Sequence, residues 1–73
     1  MEYDILKKFG LIIRKIREEK KLSQEQLSEL SGLDRTYISS VERGKRNISL
    51  KGIYALSTAF NMEISTIFQE FNS

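Results

Sequence analysis

Residues 24–44, QEQLSELSGLDRTYISSVERG, decide the fold, because a helix, a tight turn and a second helix are written into one short segment. Leu27 and Leu30 sit three apart on one helical face, Gly32 can take the positive-φ conformation that ends a helix, and Ile38 and Val41 restart the same spacing. Two helices are therefore expected to meet at a sharp angle across Gly32 and Leu33. This is a helix-turn-helix, and its second helix, residues 35–43, turns Arg35, Thr36, Tyr37, Ser39 and Ser40 outward. Such a polar set suits the edges of bases, and the expectation is a small DNA-binding regulator.

On the amino-terminal side, Leu6, Phe9, Ile13 and Ile16 recur at spacings of three and four, with Lys7, Lys8, Arg14, Lys15 and Lys20 between them. The pattern predicts an amphipathic helix over 5–20. Gly10 inside it costs about 1 kcal/mol relative to Ala, so it marks either a close approach of a neighbouring helix or a tolerated weak spot. Ser23 with Gln26 three residues on makes a capping box for the next helix, and Asp34 is placed to cap the one after it. On the carboxyl-terminal side, Gly44 ends that helix and GKRNI, residues 44–48, sets Lys45, Arg46 and Asn47 on an exposed loop. Ser49 then caps a helix over 50–60, whose inner face is Leu50, Ile53, Leu56 or Ser57, and Phe60. Asn61 is a good left-handed stop, Met62 is expected to tuck under the core, and 64–71 form a fifth short helix.

That fifth helix holds Ile64, Ile67, Phe68 and Phe71, too many large apolar groups for one buried face. Ile67 and Phe71 share one side, Ile64 and Phe68 another, so self-association through these four residues is expected.

Composition sets the outer limits. With 73 residues and 40% hydrophobic content, the expectation is a single domain over 1–73, in which 64–71 also serve dimerisation and no room is left for an effector domain. The absence of Cys and His excludes disulfides, thiol chemistry and the usual metal ligand sets, so no metal and no cofactor are expected. The longest apolar run, residues 11–13, is too short for a membrane span or an export signal, which points to a cytoplasmic protein with no membrane partner. An enzyme is disfavoured further by scattered carboxylates and the lack of a glycine-rich phosphate loop. The net charge of +2 conceals a polarity: residues 1–51 hold all 12 Lys and Arg against 8 acids, whereas 52–73 hold 2 acids and no base. A basic front and an acidic or uncharged back suit a polyanion on one side and an apolar contact on the other.

The motifs IRKIREEK (13–20), LSQEQL (22–27), SGL (31–33) and the IS-V-E-RG pattern that ends at Gly44 resemble the phage-repressor (Cro-like, XRE) helix-turn-helix family. DRTYISSVERGKRNISL, residues 34–50, resembles more narrowly the controller proteins of type II restriction–modification systems. The resemblance implies an all-α, compact five-helix, lambda-repressor-like domain that binds double-stranded operator DNA as a homodimer on near-palindromes. It would regulate its own gene and that of the endonuclease, with RNA polymerase as a further partner and no small-molecule ligand.

Carried over by position, the resemblance sets Gln24 against a backbone phosphate. It puts Arg35, Thr36 and Ser40 on the major-groove face with Tyr37 and Ser39 beside them, and Arg43, Lys45, Arg46 and Asn47 along the backbone. Arg17 and Glu42 correspond to a structural ion pair. Elementary chemistry agrees: a helix amino terminus favours phosphate, and the planar fork of Arg35 matches O6 and N7 of guanine. Plainer roles stay open, with Arg35 as a solvated partner of Asp34, the Tyr37 ring packed on the surface and Arg46 as a free loop charge.

Two positions depart from the family pattern. Lys21 stands where a glycine is usual, so a left-handed residue there carries a side chain or the first helix ends differently; Ser28 stands for the usual Ala, with a hydroxyl able to bond back to the Gln24 carbonyl. The alternatives to a controller are a phage-type repressor, or an antitoxin or anti-repressor that keeps the fold and docks a protein.

Overall fold

The computed structural model describes residues 4–72. Its elements are α1 (Ile5–Glu19), α2 (Gln24–Ser31), α3 (Arg35–Glu42), α4 (Leu50–Ala59), α5 (Ile64–Gln69) and a closing 3-10 turn (Glu70–Asn72), with no strand among the described residues. Short polar side chains begin the first four helices. Asp4 accepts from the Lys7 N–H, Asp34 from the Thr36 N–H and Ser49 from the Gly52 N–H, and Ser23 and Gln26 bond reciprocally as a capping box.

The helix ends are equally local. After α1, α3 and α4 the chain turns left-handed at Lys21 (φ 59°), Gly44 (φ 73°) and Asn61 (φ 57°). In each case the N–H of that residue and the N–H of the next donate back to carbonyls of the last turn, as Lys21 does to Glu18 and Leu22 to Arg17. The first helix therefore ends in a left-handed turn despite its lysine, at a cost of about 1–2 kcal/mol for the side chain.

The core gathers Phe9, Ile12, Ile13 and Ile16 from α1, Leu27 from α2, Ile38 and Val41 from α3, Leu56 and Phe60 from α4, and Ile67 from α5. Gly10 marks a close approach. A Cβ there would run into the carbonyl oxygen of Val41 and lie 2.6 Å from that of Glu42, so α1 crosses the end of α3 backbone to backbone.

Several expectations are corrected. The helices end one or two residues earlier than the sequence suggests, at Glu19, Glu42, Ala59 and Gln69. Leu30 and Leu50, assigned to inner faces, are 57% and 73% exposed. In α2 the inward stripe is Gln24, Leu27, Ser28 and Ser31, spaced three and four apart, and Leu30 falls outside it. Ser28 and Ser31 earn their inward places by closing the turn. The Ser28 hydroxyl donates to the Leu33 carbonyl, not to Gln24 as expected, and the Ser31 hydroxyl accepts from the Leu33 N–H.

The carboxyl-terminal helix also differs from expectation. Ile67, assigned to a subunit interface, is 0% exposed within the single chain and belongs to the core, because it turns inward rather than outward. Phe68 keeps 38% of its surface, Ile64 and Phe71 are half-buried, and Phe9, Phe68 and Phe71 form a ring cluster with centroids 5.6–6.4 Å apart. Lys15 reaches Glu70 at 3.1 Å across the surface beside this cluster, and that hydrogen bond raises the lysine's pKa. No helix among the described residues is long and apolar enough to cross a membrane.

Candidate nucleic-acid interface

Helix α3 is anchored on one side only. Ile38, Val41 and Glu42 are buried, and the opposite face follows from helical spacing: Thr36 and Ser40 lie four apart on the outward line, with Arg43 one turn further on and Ser39 beside it. Arg35 and Tyr37 flank this line on either side. Arg35, Thr36 and Arg43 are exposed, while Tyr37, Ser39 and Ser40 are half-buried.

The flanking groups differ in freedom. The Asp34 carboxylate, which sequence proximity offered to Arg35, is engaged instead with the Thr36 N–H, and the Arg35 side chain stands exposed. The Tyr37 ring packs against the edge of the core, and the guanidinium of Arg46 lies over it, 4.8 Å from the centroid. The ring thus takes the plainer role the sequence left open, packing on the surface, and it also holds a loop cation beside the outward line, which the sequence did not show. Arg43 folds back so that Nε meets the Ser39 carbonyl at 3.4 Å, and Lys45, Arg46 and Asn47 continue as exposed loop residues.

Beneath the ridge lies a compact polar network. Arg17 Nε and Nη2 reach Glu42 Oε2 and Oε1 at 2.6 and 3.0 Å, Arg17 Nη1 donates to the Leu22 carbonyl at 2.8 Å, and Gln24 Nε2 donates to Glu42 Oε1 at 3.1 Å. The two charged side chains are only 12% and 4% exposed. The hydrogen bonds that Arg17 donates to the carboxylate raise its pKa against the opposing effect of burial, so the guanidinium keeps its charge. Gln24, assigned to a phosphate, is thus half-buried and already bonded within the chain.

Two further cations join the surface that sequence reasoning passed over. Lys51 lines a shallow depression with Asp34, Thr36, Tyr37, Arg46 and Ser49. Lys7 lies against Gly44, where a Cβ would come within 2.7 Å of its Cα and Cγ, so α1 begins at the base of the 44–47 loop. Both had a signal. Each sits in the first turn of a helix, where a base opposes the helix dipole and gains nothing locally, and neither α1 nor α4 has an acid in that turn.

A helix-turn-helix family model matches residues 13–67. The control protein C.MunI of a Mycoplasma species is 43% identical over 68 residues, covering 92% of each chain. The crystal structure of the restriction-modification controller protein C.AhdI from Aeromonas hydrophila is similar with a TM-score of 0.87 and 52% identity, over 90% of this chain and 100% of that one. The controller protein C.Esp1396I, solved as a tetramer in complex with its natural 35 base-pair operator, is similar with a TM-score of 0.87 and 38% identity, over 94% and 91% of the two chains. A helix-turn-helix with a free polar ridge, matched over most of its length by such proteins, places the chain in the XRE-type helix-turn-helix family, among the restriction–modification controller proteins.

Proposed function

We propose that the protein is a DNA-binding transcriptional regulator that controls a restriction–modification locus, its own gene and the endonuclease gene included. The observation that carries this reading is the outward line of α3: Thr36, Ser40 and Arg43, with Arg35 beside them, stand clear of the core that holds the same helix from behind. A helix so mounted can enter a major groove, with Arg35 placed for guanine and Thr36, Tyr37, Ser39 and Ser40 for neighbouring base edges. Arg43, Lys45, Arg46 and Asn47 follow the phosphates, joined by Lys7 and Lys51. The operator complex of C.Esp1396I supports a duplex as partner.

One such helix reads few base pairs, so two copies on half-sites about 10 bp apart complete the site. Ile64 and Phe68 of α5 and Phe71 of the closing turn are the surface for that pairing, with Ile67 supporting them from inside. The protein acts in the cytoplasm, and control of a promoter brings it beside RNA polymerase.

Selection of bound duplexes from a random pool tests the proposal: a near-palindrome is expected, and a pool that does not converge would refute it. On the selected site, Arg35→Ala is expected to cost about 1–3 kcal/mol and to relax one position of each half-site, with little change on scrambled DNA. Arg46→Ala weakens both duplexes alike and flattens the salt dependence by about one unit of slope. Equal losses on both duplexes for Arg35→Ala would remove it from base reading.

A further inference from the structure

We propose that Glu42 is a positioning residue for DNA binding: its buried carboxylate holds the Gln24 carboxamide, so that one amide hydrogen is spent on the core and the other is presented to a backbone phosphate. The inference rests on the DNA-binding reading above.

An ionised carboxylate only accepts, and Glu42 meets three donors: Arg17 Nε, Arg17 Nη2 and Gln24 Nε2. The orientation of the amide is therefore settled by charge. Nε2 must face Glu42, Oε1 must face away, and of the two amide hydrogens only one is used by the carboxylate. Without that anchor a glutamine in the first position of a helix turns freely about its side-chain bonds, and ordering it on a phosphate costs entropy at the moment of binding.

The network does more than hold one side chain. Arg17 stands on α1, Leu22 on the connection to α2, Gln24 is the first residue of α2, and Glu42 is the last of α3. One carboxylate thus ties the end of α2 that would meet the backbone to the end of the helix that would enter the groove. A change in the seat of α3 is transmitted to Gln24, so phosphate contact and base contact are expected to be lost or kept together. An ion pair that served only the fold would need neither the Gln24 bond nor its place on the α2 terminus.

The experiment is a double-mutant cycle on affinity for a duplex carrying the tightest site from the random pool, with a scrambled duplex as control. Four proteins are compared: wild type, Gln24→Met, the paired replacement Arg17→Met with Glu42→Leu, and all three changes together. The paired replacement removes both charges at once and strands neither. In the wild-type background, Gln24→Met is expected to weaken binding about tenfold or more, the effect of one hydrogen bond to a charged group. In the background without the pair it should weaken binding less than about twofold, since the amide has already lost its anchor. The same factor in both backgrounds would overturn the proposal.

If the paired replacement does not fold, the side-chain amide resonances of Gln24 in the wild type decide. Two well-separated resonances, one slow to exchange with water both free and on the duplex, uphold the proposal; their collapse to a solvent-like pair in the complex overturns it. A wild type that binds the selected and scrambled duplexes equally would instead refute the regulator reading itself.

Discussion

Around Glu42 four segments of chain meet through four hydrogen bonds of 2.6–3.1 Å, whereas around Phe68 three rings meet at 5.6–6.4 Å between centroids. The first junction is directional: it specifies angles and distances, and a misplaced atom leaves a buried charge without a partner. The second is apolar and tolerant, since rings can slide with little loss of contact. The difference teaches how labour is divided in a chain of this size. The end that carries the outward ridge is fixed by polar geometry, and the end with surplus apolar surface is left adaptable, as suits a contact with another copy.

Substitutions can break or sharpen that contrast. The largest effect is expected from Glu42→Gln, which leaves Arg17 buried without its counter-charge and should lower stability by about 3–5 kcal/mol in urea unfolding. An unchanged midpoint would mean that the directional end does not depend on its ion pair. Gly10→Ala comes next. The added methyl meets backbone oxygens of Val41 and Glu42 rather than a movable side chain, so a loss of about 2–3 kcal/mol is expected by the same measurement.

At the apolar end the response should be milder for the fold and stronger for assembly. Phe68→Lys is expected to cost about 1 kcal/mol in the folded chain, because the ring is already partly exposed, while shifting sedimentation from dimer toward monomer. A dimer that persists unchanged would move the pairing surface elsewhere. The smallest effect, and a favourable one, is expected for Lys21→Gly. It relieves a left-handed residue of its side chain, offset in part by the greater backbone freedom of glycine when unfolded, for a net gain of at most about 1 kcal/mol in thermal unfolding.

What could be read from the sequence follows the same division. Asp34, Ser23 with Gln26, and Ser49 announced their helices because a cap acts on backbone two or three residues away. Asn61 and Gly44 announced the ends for the same reason. Gly10 left a close approach and a tolerated weak spot both open, since Val41 and Glu42, which decide for the close approach, lie more than thirty residues further on. Leu30 and Leu50 misled because apolar spacing says which residues share a face and not which face meets a neighbour. In α2 small serines do the inward packing that leucine was expected to do. At the site, the outward line of α3 was legible from Ile38 and Val41 on its back. The tie between Gln24 and Glu42 was not, because it exists only once the ends of α2 and α3 have been brought together. Ile67 was misplaced on the surface for a related reason: in so short a helix, one turn decides between core and exterior.

Helix α5 differs from its predecessors in how it begins. Glu63 occupies the cap position without a side-chain hydrogen bond, and only six residues follow before the geometry tightens to a 3-10 turn. A segment that short cannot hold helical form by itself in water, where isolated helices need about 12–15 residues. It takes shape against the rest of the core, through Ile67 and the rings of Phe9, Phe68 and Phe71. A local opening of this helix would therefore offer all of its apolar groups to a second molecule while the rest of the domain stays folded.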